Sequence, residues 1–310
     1  MAGAGGGAFV SYPDGIVLGV GELVFSRDGL RWDAIRRRVE RGDLVRLRRG
    51  VYLPADGVGG DTAQLRAALA RVDSSVASHR SAATLWQLPV LRSDDNLIHL
   101  TRARRAQGAH HSYPGVVVHH AGLPPGHVVD AGGLPSTSAA RTVVDLARSS
   151  PFRAGVVTAD AALRRRSCTA ADLAAAVAAC AGWPGVRRAR DVMAFADPRS
   201  ASPLESISRV AFADFGLPRP RLQAQLASLD VVDFLWPDYG VVGEADGMGK
   251  YTSPHVLRAE KLREERLSVD GYSVVRWTWE EVFRRPDAVA WRVLGVLKRR
   301  GYRGAAGPSR

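Results

Sequence analysis

Cysteine and lysine are scarce in this 310-residue chain, and no long apolar run interrupts it. The two cysteines, Cys168 and Cys180, lack CxxC spacing, which excludes a disulfide framework and a cysteine-built zinc site and fits a reducing cytoplasm. No stretch reaches the ~18 consecutive apolar residues of a membrane-spanning helix. The opening MAGAGGGAFV has no basic segment ahead of an apolar core, so neither a membrane nor an export signal is expected. Only Lys250, Lys261 and Lys298 break an otherwise all-arginine set of 43 basic residues, so each lysine that survives this bias is informative. Acidic residues are too few to balance that set. The excess of +12 makes a field that attracts polyanions, which puts nucleic acid first among partners. With 46% hydrophobic and 24% charged residues the chain is neither disordered nor a coiled-coil rod, and its length is roughly that of two domains of about 150 residues.

The hydrophobic pattern changes along the chain and marks its parts. Residues 1–15 are glycine-rich and aperiodic and read as a flexible tail. Between 16 and 56, Trp32, Ile35 and Val39 recur at helical spacing, Gly42 ends the helix, and apolar residues then flank the basic turn Arg48-Arg49-Gly50. A helix running into a basic hairpin is a winged-helix pattern. Arg36, Arg37 and Arg38 on the helix, with Arg46, Arg48 and Arg49 on the wing, would make a phosphate-contacting surface. Residues 57–197 read as an α-rich middle region with a small sheet, its strands at NLIHLT and VVVHH. The polar, proline-bounded ADPRSASP is the predicted boundary. After it, 198–310 reads helix, three strands, helix, strand, helix, and is expected to fold alone. The predicted class is therefore α/β in the α+β sense, a winged helix and a helical middle region followed by a mixed sheet flanked by helices.

Acids in the last region carry the chemistry. Asp233 lies inside the apolar run DVVDFLW, where a carboxylate is costly to bury unless paired or metal-bound. Glu244 ends the apolar run YGVVGE, and Asp246, two residues on, shares its side of the strand. Strand-end acids aimed at one point across a tight turn suit a hard divalent cation, Mg2+ or Mn2+. Phosphodiester hydrolysis needs an activated water and a stabilised developing charge, tasks that a carboxylate-held metal and a nearby lysine share. Lys250, shortly after Asp246 in a chain almost devoid of lysine, is the candidate for the second task.

The segment VVDFLWPDYGVVGEADGMGKY, followed by Glu260, Arg263, Leu267, Gly271 and VVRWTWEEV, resembles the PD-(D/E)xK restriction-endonuclease-like nucleases, most closely their short-patch-repair-endonuclease-like branch. The resemblance spans the region 198–310. It implies that Asp233 takes the PD position and Glu244 the D/E position of a metal-dependent nuclease site, and that Glu205, in SPLES, is the further acid that many members add. Asp246 stands where the superfamily has its usual lysine. In the branch an E-x-D-G segment is followed by a basic or imidazole residue, and the resemblance gives that place to Lys250. The N-terminal GLRWDAIRRRVERGDLVRLRRGVYLPA, continued by HRSAATLWQLP and STSAARTVVDLAR, is similar to AbiEi-type abortive-infection antitoxins. That likeness implies promoter DNA as a ligand and a cognate toxin as a partner.

The function expected is that of a cytoplasmic DNA-binding protein with a metal-dependent endonuclease-like domain, in a phage-defence or toxin-antitoxin setting. Asp246 in place of lysine keeps open an alternative, a non-catalytic antitoxin-like transcriptional regulator that retains the nuclease fold without turnover. His110-His111 and His119-His120 are not at metal spacing on one element and read as solvent-facing. Ser136, Thr137 and Ser138 read as a helix cap, and Trp236, Trp277 and Trp279 as packing.

Overall fold

Short strands dominate the first part of the chain and helices over a mixed sheet the second, in a computed structural model that describes residues 9–11, 17–19, 24–25, 32–48, 51–54, 60–91, 97–103, 113–228, 230–247 and 254–304. The chain divides into two compact units, Met1–Trp86 with Ser93–Ser138, and Gln87–Arg92 with Ala139–Arg310. Mixed sheets and helices in both give the α+β class that the periodicity predicts.

The first unit opens with β1 (Phe9–Ser11) paired antiparallel to β2 (Val17–Gly19). Part of the predicted tail is thus a strand, because Phe9 and Val10 have an apolar segment within hairpin reach to pair with. Next come β3 (Val24–Phe25), α1 (Trp32–Glu40), β4 (Leu44–Arg48) and β5 (Val51–Pro54), the strands in the order β3-β5-β4. Gly42, at φ +79, turns the chain out of α1 in the left-handed conformation that residues with a Cβ rarely adopt. Ile35 on α1 then packs on Leu44 and Tyr52, which is the helix-on-hairpin core that the sequence pattern called for. The unit continues through α2 (Gly60–Arg71), β6 (Ser75–Ala77), α3 (His79–Leu85), β7 (Ile98–Arg102), β8 (Val116–His120), β9 (Val128–Asp130) and β10 (Pro135–Thr137). Its five strands lie in the order β8-β7-β6-β10-β9. Leu65, Ala68 and Val72 of α2 and the residues after it pack on Ala77, Ile98 and Leu100.

In the second unit, helices α4 (Ala139–Ser149), α5 (Phe152–Arg164), α6 (Ala170–Ala179), α7 (Val186–Phe195) and α8 (Pro203–Asp214) precede a four-stranded sheet. Its strands are β11 (Arg221–Gln225), β12 (Val231–Trp236), β13 (Val241–Asp246) and, after α9 (Pro254–Val269), β14 (Ser273–Thr278). The first two pairings are antiparallel and β13–β14 is parallel, with α9 as the crossover that a parallel pair requires. Helices α10 (Trp279–Arg284) and α11 (Pro286–Arg299) close the chain. Phe212, Phe234, Trp236, Trp277, Val293 and Leu297 fill one face of the sheet, while Val232, Leu235 and Val242 meet Leu267 of α9 on the other. Trp236 and Trp277 pack as predicted, each with its indole N–H satisfied, by the Pro218 carbonyl at 2.7 Å and Ser208 Oγ at 2.8 Å. Gly243 makes the second possible, since a Cβ there would lie 2.6 Å from the Trp277 ring.

The structure places the division of the chain at Ser138/Ala139 and not at ADPRSASP. Asp160 on α5 explains why. Its carboxylate accepts from Arg209 Nη1 at 2.7 Å and Ser206 Oγ at 2.8 Å, both on α8, and from the backbone N–H of Asp197 at 2.8 Å. Asp197 is itself buried and accepts from Arg199 at 2.7 Å and Arg219 at 3.3 Å. A segment that reads as a linker by composition is therefore bonded into the core from both sides, and α4–α7 belong with the sheet that follows. Among the described residues no helix is long and apolar enough to cross a membrane.

Candidate functional site

The sequence S-P-L-E starts α8 with a serine at the N-cap, proline at the first helical position and an acid at the third. Ser202 Oγ accepts from the Glu205 N–H at 3.1 Å and donates to Glu205 Oε1 at 2.9 Å. The other oxygen, Oε2, accepts from the Ala201 N–H at 2.8 Å and from Gln223 Nε2 at 2.9 Å. The same amide nitrogen donates to Asp233 Oδ1 at 3.0 Å, and Asp233 Oδ2 accepts from the Ala245 N–H at 2.8 Å. One side chain on β11 thus clamps two carboxylates from α8 and β12. Gln223 sits at φ +47, outside strand geometry, a local cost of the kind found where a side chain is held for a purpose. Its role is invisible in RLQAQ, because neither that backbone angle nor the pairing of β11 with β12 leaves a mark in composition.

Glu205 and Asp233 line a cavity of about 740 Å³ whose walls are otherwise largely apolar, Leu91, Val157, Trp279 and Phe283 among them. Trp279 and Phe283 stack at 5.7 Å, so Trp279 serves as cavity wall as well as packing. Burial, and beyond it the charge of Asp233, push the Glu205 carboxyl above its ordinary range.

Glu244 is 4% exposed and takes a hydrogen bond from Arg263 of α9 at 2.9 Å. Burial and the charge of Asp233 push its carboxyl up to about 7 against the pull of Arg263. Alternation along β13 sends Asp246 to the same side, where it lies 3.9 Å from Arg276. Glu244 and Asp246 do share a side, as the sequence indicates, but each faces an arginine. The structure brings Glu205 and Asp233 together, sets Glu244 in electrostatic contact with Asp233, and places Asp246 by Arg276. Lys250 lies outside the described residues. The oxygen donors of Glu205 and Asp233 fit a hard divalent cation, which commonly binds through one or two carboxylates and keeps several waters, and a cation there would relieve the repulsion that raises both glutamates.

This charge arrangement has a consequence for stability. Between its ordinary 4.5 and about 7, Glu244 is protonated in the folded chain and ionised in the unfolded one. Its stabilising share is complete below that window and is lost as pH rises through it. In urea melts across the window, Glu244→Gln is expected to flatten the fall in stability by roughly 3 kcal/mol, at ~1.4 kcal/mol per pKa unit. A variant that loses stability with pH as steeply as wild type would refute the shifted carboxyl.

Of the six arginines assigned to DNA, Arg36, Arg37 and Arg46 are exposed, and Arg36 pairs loosely with Glu40 at 3.5 Å. Arg38 is 1% exposed and is removed from the phosphate-contacting set. Helical residues advance ~100° per step, so three in a row cannot share one face, and α1 buries this one beside Ile35. The side chain of Arg48 and all of Arg49 lie outside the described residues.

Among the described residues, one group of three or more His, Cys, Asp or Glu side chains has its ligand atoms all within 4.8 Å of one another: His79, His99 and His119. His119, expected in solvent from its sequence context, is half-buried in this cluster. Three separate elements bring these histidines together, so no spacing on any one of them announces the cluster.

No family model matches the chain. Over 171 residues it is 33% identical to the uncharacterized protein MT2308 of Mycobacterium tuberculosis (strain CDC 1551 / Oshkosh) and to the uncharacterized protein Rv2248 of Mycobacterium tuberculosis (strain ATCC 25618 / H37Rv). The match spans 54% of this chain and 63% of the length of each relative. Among solved structures, the RV2827C protein from Mycobacterium tuberculosis is 21% identical with a TM-score of 0.40, over 60% of this chain and 74% of that one, a likeness too slight to carry an argument.

Proposed function

We propose that the second unit is a metal-dependent phosphodiesterase of the PD-(D/E)xK kind and that the first unit delivers it to DNA. The observation that carries this reading is the pair Glu205 and Asp233, clamped by Gln223 at the wall of a cavity beside a mixed four-stranded sheet. In this assignment Glu205 and Asp233 hold Mg2+ or Mn2+, which when bound activates a water and offsets charge on the scissile phosphate. Gln223 and the Ala245 N–H fix both Asp233 oxygens, so the ligand is positioned before the cation arrives. Glu244, poised near neutrality beside Asp233, is suited to hold or release a proton at its carboxylate oxygen. Lys250 is assigned to the scissile phosphate. The test is plasmid nicking with and without Mg2+ or Mn2+, and purified protein that hydrolyses neither DNA nor RNA would refute the assignment.

A specific observation favours the second reading, an antitoxin-like regulator without turnover. Arg263 occupies Glu244 and Arg276 stands by Asp246, so two of the three strand acids that the sequence offers to a metal, Asp233, Glu244 and Asp246, are already neighboured by cations. The two readings share the first unit. Its exposed Arg36, Arg37 and Arg46, with Arg48 and Arg49, are expected to neutralise about four to five phosphates, which sets the slope of log K against log salt near −4, at ~0.9 per contact. Arg48→Ala with Arg49→Ala should weaken binding to all duplex sequences alike and make the slope shallower. Unchanged affinity and slope in a salt titration would remove the wing from the interface.

A further inference from the structure

The cluster of His79, His99 and His119 belongs to neither the acidic pair nor the arginine surface. Period-two alternation puts His99 and Thr101 on one face of β7, and the parallel register Thr101↔His119 puts His119 on that same face of β8. His79 is brought to them by backbone bonds. Ser78 donates its N–H to the His99 carbonyl at 3.0 Å, and the His99 N–H donates to Ser81 Oγ at 2.9 Å, so the turn carrying His79 is stapled to β7 at His99 itself. His79 is held there at φ +49, a conformation uncommon for a residue with a Cβ and concentrated at functional positions.

We propose that these three histidines bind one divalent transition-metal ion of the zinc class. Three imidazoles suit zinc, cobalt or nickel and not the hard cations that carboxylates select. Their ligand nitrogens lie within 4.8 Å of one another, and His99 Nδ1 and His119 Nε2 are 3.0 Å apart. Two nitrogens at ~2.0–2.1 Å from a tetrahedral ion stand about 3.3 Å apart, so that pair needs to open by only a few tenths of an ångström. The ion takes the place of the proton between the two rings, and that proton moves to the outer nitrogen of the ring that carried it. Ser78 Oγ, 3.1 Å from His79 Nδ1, supplies the outer hydrogen bond that metal-bound imidazoles make and assigns Nε2 of that ring to the ion. His79 now stacks on His119 at 3.7 Å, and ligation turns its ring out of that stack. Three ligands leave the fourth tetrahedral position to water, and His99 and His119 are only half-buried, which gives the ion a way in.

The test is titration of the full chain, free of any affinity tag, with Co2+ and then Zn2+, in excess Mg2+ so that oxygen sites are occupied. One equivalent of Co2+ should bind with the intense visible absorption of tetrahedral coordination, and Zn2+ should displace it. His99→Gln and His119→Gln should each weaken binding by more than about 100-fold, beyond the effect of losing an outer-shell partner. His79→Asn, which keeps a residue tolerant of positive φ, should do the same. His120→Gln, and His110→Gln with His111→Gln, should bind as wild type. Far-UV circular dichroism of each variant shows whether it folds. Wild-type protein that takes up no stoichiometric ion overturns the site whatever the variants do, as does undiminished uptake by the folded His99 and His119 variants.

Discussion

Asp233→Asn is expected to lower Mg2+-dependent phosphodiester hydrolysis by about 10³-fold, a loss of roughly 4 kcal/mol of transition-state stabilisation. Both oxygens of Asp233 accept from fixed donors, Gln223 Nε2 and the Ala245 N–H. Asparagine has one oxygen to offer, so its amide must face one of those donors, and the ligand loses position as well as charge. A second readout separates this from simple damage to the fold. The charge of Asp233 is a cause of the raised carboxyl of Glu244, so in Asp233→Asn that carboxyl should titrate below about 7. A plasmid-nicking assay in which the variant cleaves as fast as wild type would remove Asp233 from the site. Cleavage lost with the Glu244 titration unmoved would point to a structural defect.

Asp160→Ala is expected to destabilise the second unit by about 3–5 kcal/mol, the usual result of leaving a buried charge unpaired. Asp160 is 1% exposed and Arg209 6%, and the variant strands the Arg209 guanidinium, the Ser206 hydroxyl and the Asp197 N–H together. Burial pushes the Asp160 carboxyl above its ordinary range, and Arg209, the Asp197 N–H and Ser206 oppose that shift. Urea melts followed by circular dichroism measure the effect, and a loss under about 1 kcal/mol would show the network to be dispensable. The same contact predicts how fragments behave. Residues 87–310 should melt cooperatively, whereas 198–310, cut away from Asp160, should be soluble only as a poorly packed species. A sharp melt of 198–310 would restore the boundary at ADPRSASP.

Periodicity alone determined most elements of the second unit: β12 spans Val231–Trp236 as the apolar run DVVDFLW predicts, and α8 begins where S-P-L-E says a helix should. These signals are local, written within a few residues by side-chain alternation and capping chemistry. The acids were legible for the same reason, since Asp233 is an anomaly inside its own strand. Tertiary structure decided what no window of residues contains. Strands of three residues, such as β6, β9 and β10, are too short to show a period and exist only through their neighbours. Arg38 faces the core while Arg36 and Arg37 do not, because α1 packs one side on β4 and β5. Gln223 reaches two acids, Arg263 crosses from α9 to Glu244, and Asp160 ties ADPRSASP into the core, each across a separation that composition cannot bridge. His99 and His119 meet because β7 and β8 are adjacent in the sheet, and His79, at the start of α3, joins them because Ser78 and Ser81 are bonded to His99; pairing between distant segments is set by the free energy of the whole core.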